Sequence, residues 1–154
     1  MYTHIPEGYK CPICLGVAGI ESDDTMLKQA DLVFKDDLVC VFINSFFIDG
    51  NEGHLIIVTN KHFEHLYDLE PEYAHRIMDV SKKMALALKE AYGCDGVTIR
   101  QNNEPASGQH AFHYHMHVFP RYDGDSFDVN ILHSRRTDVG ERSGYVGKIK
   151  RVLS

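Results

Sequence analysis

Apolar positions along the first part of the chain fall into short runs separated by turn residues. Leu32–Lys35 and Leu38–Ile43 read as strands, joined across Asp36-Asp37 as a tight hairpin. A loop over Asn44–Gly53, with Asp49-Gly50-Asn51 as its turn signal, leads to the apolar strand His54–Thr59. From Pro71 the period changes to helical. Tyr73, Ile77, Val80, Met84, Leu88 and Ala91 recur at three- and four-residue steps, with Pro71 suited to the first turn and Gly93 to the stop. Val97–Gln101 is another strand. A polar loop over Asn102–Gln109 precedes a last strand, His113–Phe119, closed by Pro120. The stretch Ile13–Ile20 allows one short helix. The pattern predicts an α+β fold: a five-stranded antiparallel sheet with one long and one short helix, the long helix covering one face. A domain over 1–122 is expected, and 123–154, where periodicity fades, is an extension of unknown order.

Composition changes this picture little. Of 154 residues, 44% are hydrophobic and 25% charged, ordinary globular usage for one domain. The net charge of −6 gives no general attraction to nucleic acid or to acidic membranes, and the basic residues Lys148, Lys150 and Arg151 form only a short cluster. No segment is apolar enough to span a bilayer, and MYTHIPEGYK lacks the layout of a signal peptide, so a cytoplasmic protein is expected.

Candidate chemistry lies in the last strand. In AFHYHMHVFPR, His113, His115 and His117 alternate with Tyr114, Met116 and Val118. Alternation puts the three imidazoles on one face and the apolar residues on the other, beneath the helix. The outer two imidazoles would then sit about 13 Å apart, too far to share one ion unaided. A solvated sheet face usually carries Lys, Glu and Thr. Repeated imidazole points instead to a metal site or to nucleophilic and acid–base chemistry near neutral pH. The preceding loop, NNEPASGQ, is of the kind that presents backbone N–H groups to phosphate oxygens. Cys11-Pro-Ile-Cys14 has the spacing of two zinc ligands, and is open to reading as a metal site, a redox pair or coincidence.

His113-Tyr-His115-Met-His117-Val-Phe resembles the signature of the histidine triad family of nucleotide hydrolases and transferases. The upstream Gly53-His54, its apolar strand and the Lys61-His62 step resemble that family's second landmark. The resemblance covers roughly Tyr9 to Tyr122. It implies a homodimer that binds a nucleotide, a purine in preference, with His115 as nucleophile on the α-phosphorus, His117 on the phosphate and His54 supporting the network. Asn102 would lie near the phosphate, Gly108 and Gln109 would bind substrate as the family's Gly-Gln step, and Asn44 would hold the ribose hydroxyls. In branches of the family and in the related galactose-1-phosphate uridylyltransferases, a Cys pair joins two such histidines, which implies structural zinc on Cys11, Cys14, His62 and His113, with His65 the alternative to His62. Substrates implied are nucleoside phosphoramidates or dinucleoside polyphosphates. Three alternatives stand beside hydrolysis: nucleotidyl transfer to a phosphorylated acceptor, a nucleotide-binding adaptor, and a metal or redox sensor built on the cysteines. The uridylyltransferases keep Gln where His117 stands, which favours hydrolysis. His4, His75, His110 and His133 are taken as surface residues.

Overall fold

The computed structural model describes residues 2–23 and 25–154. In chain order it contains α1 (Pro12–Val17), β1 (Leu32–Lys35), β2 (Val39–Ile43), β3 (Phe46–Phe47), β4 (Leu55–Thr59), α2 (Pro71–Tyr92) and β5 (Gly96–Gln101). β6 (His115–Arg121), α3 (Phe127–Asn130), β7 (Arg135–Arg136) and α4 (Val139–Leu153) complete it. Five strands form an antiparallel sheet in the order β1-β2-β4-β6-β5, as the alternation and hairpin signals predict.

β2 and β4 are buried at every position because both faces of the sheet are covered there. On one face Val39, Val41, Ile43, Leu55, Ile57, Met116 and Val118 form the main core with Ile77, Val80, Met84 and Leu88 of α2. On the other, Cys40, Phe42, Ile56 and Val58 pack with Ile13 and Leu27. A third small cluster on that face joins Ile48, Phe119 and Phe127. α2 has its expected bounds, with Pro71 in its first turn and Gly93 in the left-handed conformation at φ 64°. The Asp36 carboxylate accepts the Leu38 and Val39 N–H groups at 2.8 Å, closing the β1–β2 turn.

Two expectations need correction. The last strand runs His115–Arg121, two residues later than the alternation predicts. His113 lies before it, because its ring is drawn away to Thr59 while the Tyr114 N–H bonds the Phe63 carbonyl at 2.6 Å. Pro120 continues the strand because β4 pairing stops at Leu55↔Val118, so the missing N–H leaves no gap in that ladder.

Second, among the described residues there are four α-helices rather than two. The segment after Asp123 folds onto its own chain. Val146 and Ile149 of α4 enter the main core, and Arg142 forms a buried ion pair with Asp31 at 2.8 Å. The Asp138 carboxylate caps α4 by accepting the Glu141 N–H at 2.8 Å. α4 also explains Gly53. That residue has φ 76°, and a Cβ there would lie 2.2 Å from Tyr145 Cδ1 and 2.8 Å from the Tyr92 hydroxyl.

If α4 belongs to the cooperative core, Ile149→Ala should lower the unfolding free energy by about 2–5 kcal/mol, the range for a buried aliphatic truncation. Urea denaturation checks this; an unchanged midpoint would mean that α4 docks without contributing to folding.

Candidate active site

Between the two small clusters on the sheet face opposite α2 lies a cavity of about 570 Å³. Ile13, Leu27 and Ile56 form one wall; Ile48, Phe119 and Ile131 form the other. β6 places His115 and His117 in it, and His54, at the entry to β4, lies beside them. Asn44, Asn102 and Gly108 also line it.

The imidazoles are linked in a defined order. His115 Nδ1 lies 2.7 Å from the His113 carbonyl oxygen. A carbonyl only accepts, so Nδ1 carries the proton and Nε2 keeps its lone pair. Burial lowers the His115 pKa below its ordinary value, with the His110 charge adding to the shift. The ring is therefore neutral near pH 7. Burial first, then His54, His115 and Arg100, holds His117 well below the ordinary histidine value. His117 Nδ1 meets His54 Nε2 at 3.3 Å. His54 is 3% exposed, and burial pushes its pKa down to about 3. Its Nδ1 has no hydrogen-bond partner among the described residues.

The loop after β5 is braced from within. Gln109, expected among the substrate-binding residues, is 2% exposed and spends its amide on the loop. Its Oε1 accepts the Glu104 N–H at 2.6 Å, and its Nε2 donates to the carbonyls of Glu64 at 2.8 Å and Ala111 at 3.2 Å. Gln109 is thus a brace, and it does not line the cavity. Gly108 has φ 90°, and a Cβ there would lie 3.2 Å from Asn102 Nδ2, so glycine lets that amide settle over the loop. Asn44 does line the cavity, while its Oδ1 accepts the Phe46 N–H at 2.8 Å.

His113 turns the other way. Its Nε2 donates to the Thr59 carbonyl at 2.9 Å, which leaves Nδ1 as a free donor atom for a metal. That Nδ1 lies 3.4 Å from both Cys11 Sγ and Cys14 Sγ, and Cys14 Sγ lies 3.3 Å from His62 Nδ1. All four ligand atoms fall within 4.8 Å of one another. Bonds of about 2.3 Å to sulfur and about 2.0 Å to nitrogen, radiating tetrahedrally, give S···N edges of about 3.5 Å. The cluster therefore fits a tetrahedral metal ion. His65, the alternative ligand, is fully buried and lies between Glu64 and Asp68, 3.4 Å from each. It is not part of the cluster.

Several lining residues escaped the sequence reading. Ile131 and Ser134 come from the C-terminal segment, which the pairing of β3 with β7 and the packing of Ile131 against Ile48, Phe119 and Phe127 bring to the cavity. Arg100 and His110 also line it. Arg100 had a usable signal, since it occupies the strand before the polar loop.

Three histidines, His54, His115 and His117, thus face the cavity, and two more, His62 and His113, stand in the Cys₂His₂ cluster. The HIT domain family model matches residues 27–124, and the chain belongs to the histidine triad (HIT) family, whose members are nucleotide-binding hydrolases and transferases. It is 32% identical over 96 residues to Protein hit of Bacillus subtilis, covering 62% of this chain and 65% of that protein. It is 32% identical over 102 residues to the adenosine 5′-monophosphoramidase of Saccharomyces cerevisiae, covering 66% of this chain and 60% of that enzyme. The chain thus spans less than two thirds of either relative. Among solved structures, a Zn-bound histidine triad family protein from Mycobacterium smegmatis superposes with TM-score 0.74 at 26% identity, covering 94% of this chain and 93% of that one. Among the described residues no helix is long and apolar enough to cross a membrane.

The depressed His54 value has a consequence for stability. An unfolded histidine takes up a proton near pH 6.5, whereas folded His54 does so only near 3. Between those values the unfolded chain binds the extra proton, so this contribution to stability is complete above pH 6.5 and is lost as pH falls toward 3. His54→Phe is expected to flatten the fall in unfolding free energy between pH 6.5 and 4, by at most about 1.4 kcal/mol per pH unit. Equal slopes for the two proteins in denaturant titrations would contradict a neutral buried His54.

Proposed function

We propose that this protein is a nucleotide hydrolase that works through a nucleotidyl-histidine intermediate. One observation carries the reading: the hydrogen bond from His115 Nδ1 to the His113 carbonyl leaves the Nε2 lone pair available in the cavity. A neutral, half-buried imidazole so oriented is a nucleophile for phosphorus. Attack on the α-phosphorus forms an N–P bond and expels the leaving group; water then cleaves that bond and releases the nucleoside monophosphate.

The neighbours have supporting roles. If the His54 Nε2–H donates to His117 Nδ1, the His117 proton sits on Nε2, where it can donate to a phosphate oxygen. Asn102, held over Gly108, supplies an amide to the same phosphate. Asn44 supplies its free Nδ2 to the ribose. The apolar walls suit a base, and the adenosine specificity in the yeast relative's name favours a purine. Substrates are nucleoside phosphoramidates or dinucleoside polyphosphates.

Zinc is the metal we assign to Cys11, Cys14, His62 and His113, given the donor set and the Zn-bound relative. Its part is structural: it ties the N-terminal segment to His113, whose carbonyl aligns the nucleophile. Four free cysteines suit a reducing compartment such as the cytoplasm. Assembly as a homodimer through β5 is part of this reading, because β5 ends the sheet and Ile99 on it is 46% exposed.

Incubation with adenosine 5′-phosphoramidate or diadenosine triphosphate, followed by acid-free mass spectrometry, should show an adenylyl adduct on His115. His115→Ala should reduce turnover of both by at least about a hundredfold while AMP still binds. Turnover by that variant at the wild-type rate would refute the nucleophile. Cys14→Ser should lose zinc by metal analysis and melt at lower temperature than the wild type. A zinc-free wild-type protein with the same melting point as the variant would remove the metal from the reading.

A further inference from the structure

One flank of the cavity carries positive charge that the nucleophile and its partners do not account for. Arg100 stands directly opposite His117 in the β5–β6 register. Opposed residues project from the same face, with Cβ atoms about 4.5–5.5 Å apart. The guanidinium lines the cavity, and its Nε donates to Asn102 Oδ1 at 3.3 Å. Among the described residues its two terminal nitrogens make no hydrogen bond, and it forms no ion pair with a carboxylate. A charged side chain on an edge strand is ordinarily a solvated surface residue. That role does not require the side chain to sit on the site face beside half-buried His117. His110, exposed and next to the buried brace Gln109, lines the same cavity. The Arg100 charge reaches His117, adding to the effect of burial in lowering its pKa.

We propose that Arg100 and His110 form a subsite for the group expelled from the α-phosphorus, and that this group is a phosphate rather than an amine. The proposal rests on the reading of His115 as nucleophile. When His115 Nε2 forms its bond to phosphorus, the bond to the bridging atom breaks and its electron pair stays on that atom. The bridging oxygen of a phosphoanhydride leaves as a phosphate oxyanion, which needs neighbouring positive charge and no proton. A bridging amine nitrogen must be protonated to leave. A guanidinium supplies charge and keeps its protons, and its fork matches phosphate oxygens. His117 beside it is neutral in the free site, able to donate a hydrogen bond but poorly suited to give up a proton. Water then attacks phosphorus, the N–P bond breaks back to the Nε2 lone pair, and one proton is released with the monophosphate.

Two measurements separate this subsite from the nucleophile. AMP fills only the nucleotidyl part of the site, whereas ADP adds one phosphate where the leaving group would lie. By calorimetry the wild type is expected to bind ADP about tenfold tighter than AMP, the scale of one or two charged hydrogen bonds. Arg100→Gln should bring the two affinities within about threefold, His110→Asn should lower the preference in part, and Arg100→Lys should retain most of it. In turnover, the ratio of kcat/KM for diadenosine triphosphate to that for adenosine 5′-phosphoramidate should fall about tenfold or more in Arg100→Gln. A wild type that prefers AMP, or ratios that survive Arg100→Gln, would overturn the subsite even if the adduct forms on His115. Conversely, an ADP preference lost in Arg100→Gln with no adduct on His115 would keep the subsite and refute the nucleophile.

Discussion

The hydrogen bond between His115 Nδ1 and the His113 carbonyl, 2.7 Å long, is the contact on which the site depends. It settles which nitrogen of His115 carries the proton and which way the ring faces. It exists because the chain at His113 has not yet entered the strand: an extended residue paired on both sides would have its carbonyl committed to the ladder. What holds His113 out of the strand is its ring, fixed at Nε2 by Thr59 and at Nδ1 by the cluster with Cys11, Cys14 and His62. The metal-type cluster and the His115 imidazole are therefore mechanically one unit, joined by a single residue that serves the first with its side chain and the second with its backbone.

Around that unit the sheet divides its labour. One face is spent on α2 and α4 and supplies the stability of a large apolar core. The other carries two small apolar clusters with a gap between them, and the gap is the cavity. Burial there keeps His54, His115 and His117 neutral, which suits a lone pair for attack and N–H groups for hydrogen bonding. The fold thus gives up some acid stability to keep these rings neutral near pH 7.

Much of this was legible beforehand because it rests on local periodicity. A run such as Leu-Ile-Ile-Val-Thr reads as a buried strand, and the steps from Tyr73 to Leu88 read as a helix face. α4 was harder. Gly140, Gly144 and Gly147 weaken its helical propensity, by roughly 0.5–1 kcal/mol each relative to alanine, and its buried stripe includes an arginine. The available signals were Asp138 three residues before Glu141, and the spacing of Val146, Ile149 and Leu153. Gln109 was misread for a related reason: a motif position says that an amide is needed, not whether it faces a ligand or the loop's own backbone.

The sequence by itself determined the five strands of the main sheet and the long helix, the alternation that separates core from site face, and the residue types that meet at the site, because these follow from periods of two and of 3.6 residues acting over short distances. Only the tertiary structure decided that His113 leaves the face it shares by alternation, that Ile131 and Ser134 close the cavity, and that Arg100 stands against His117. Each of these joins residues far apart in sequence or set on different strands. Their positions are fixed by strand register and by the packing of α4 against Gly53, long-range constraints that leave no periodic trace in the chain.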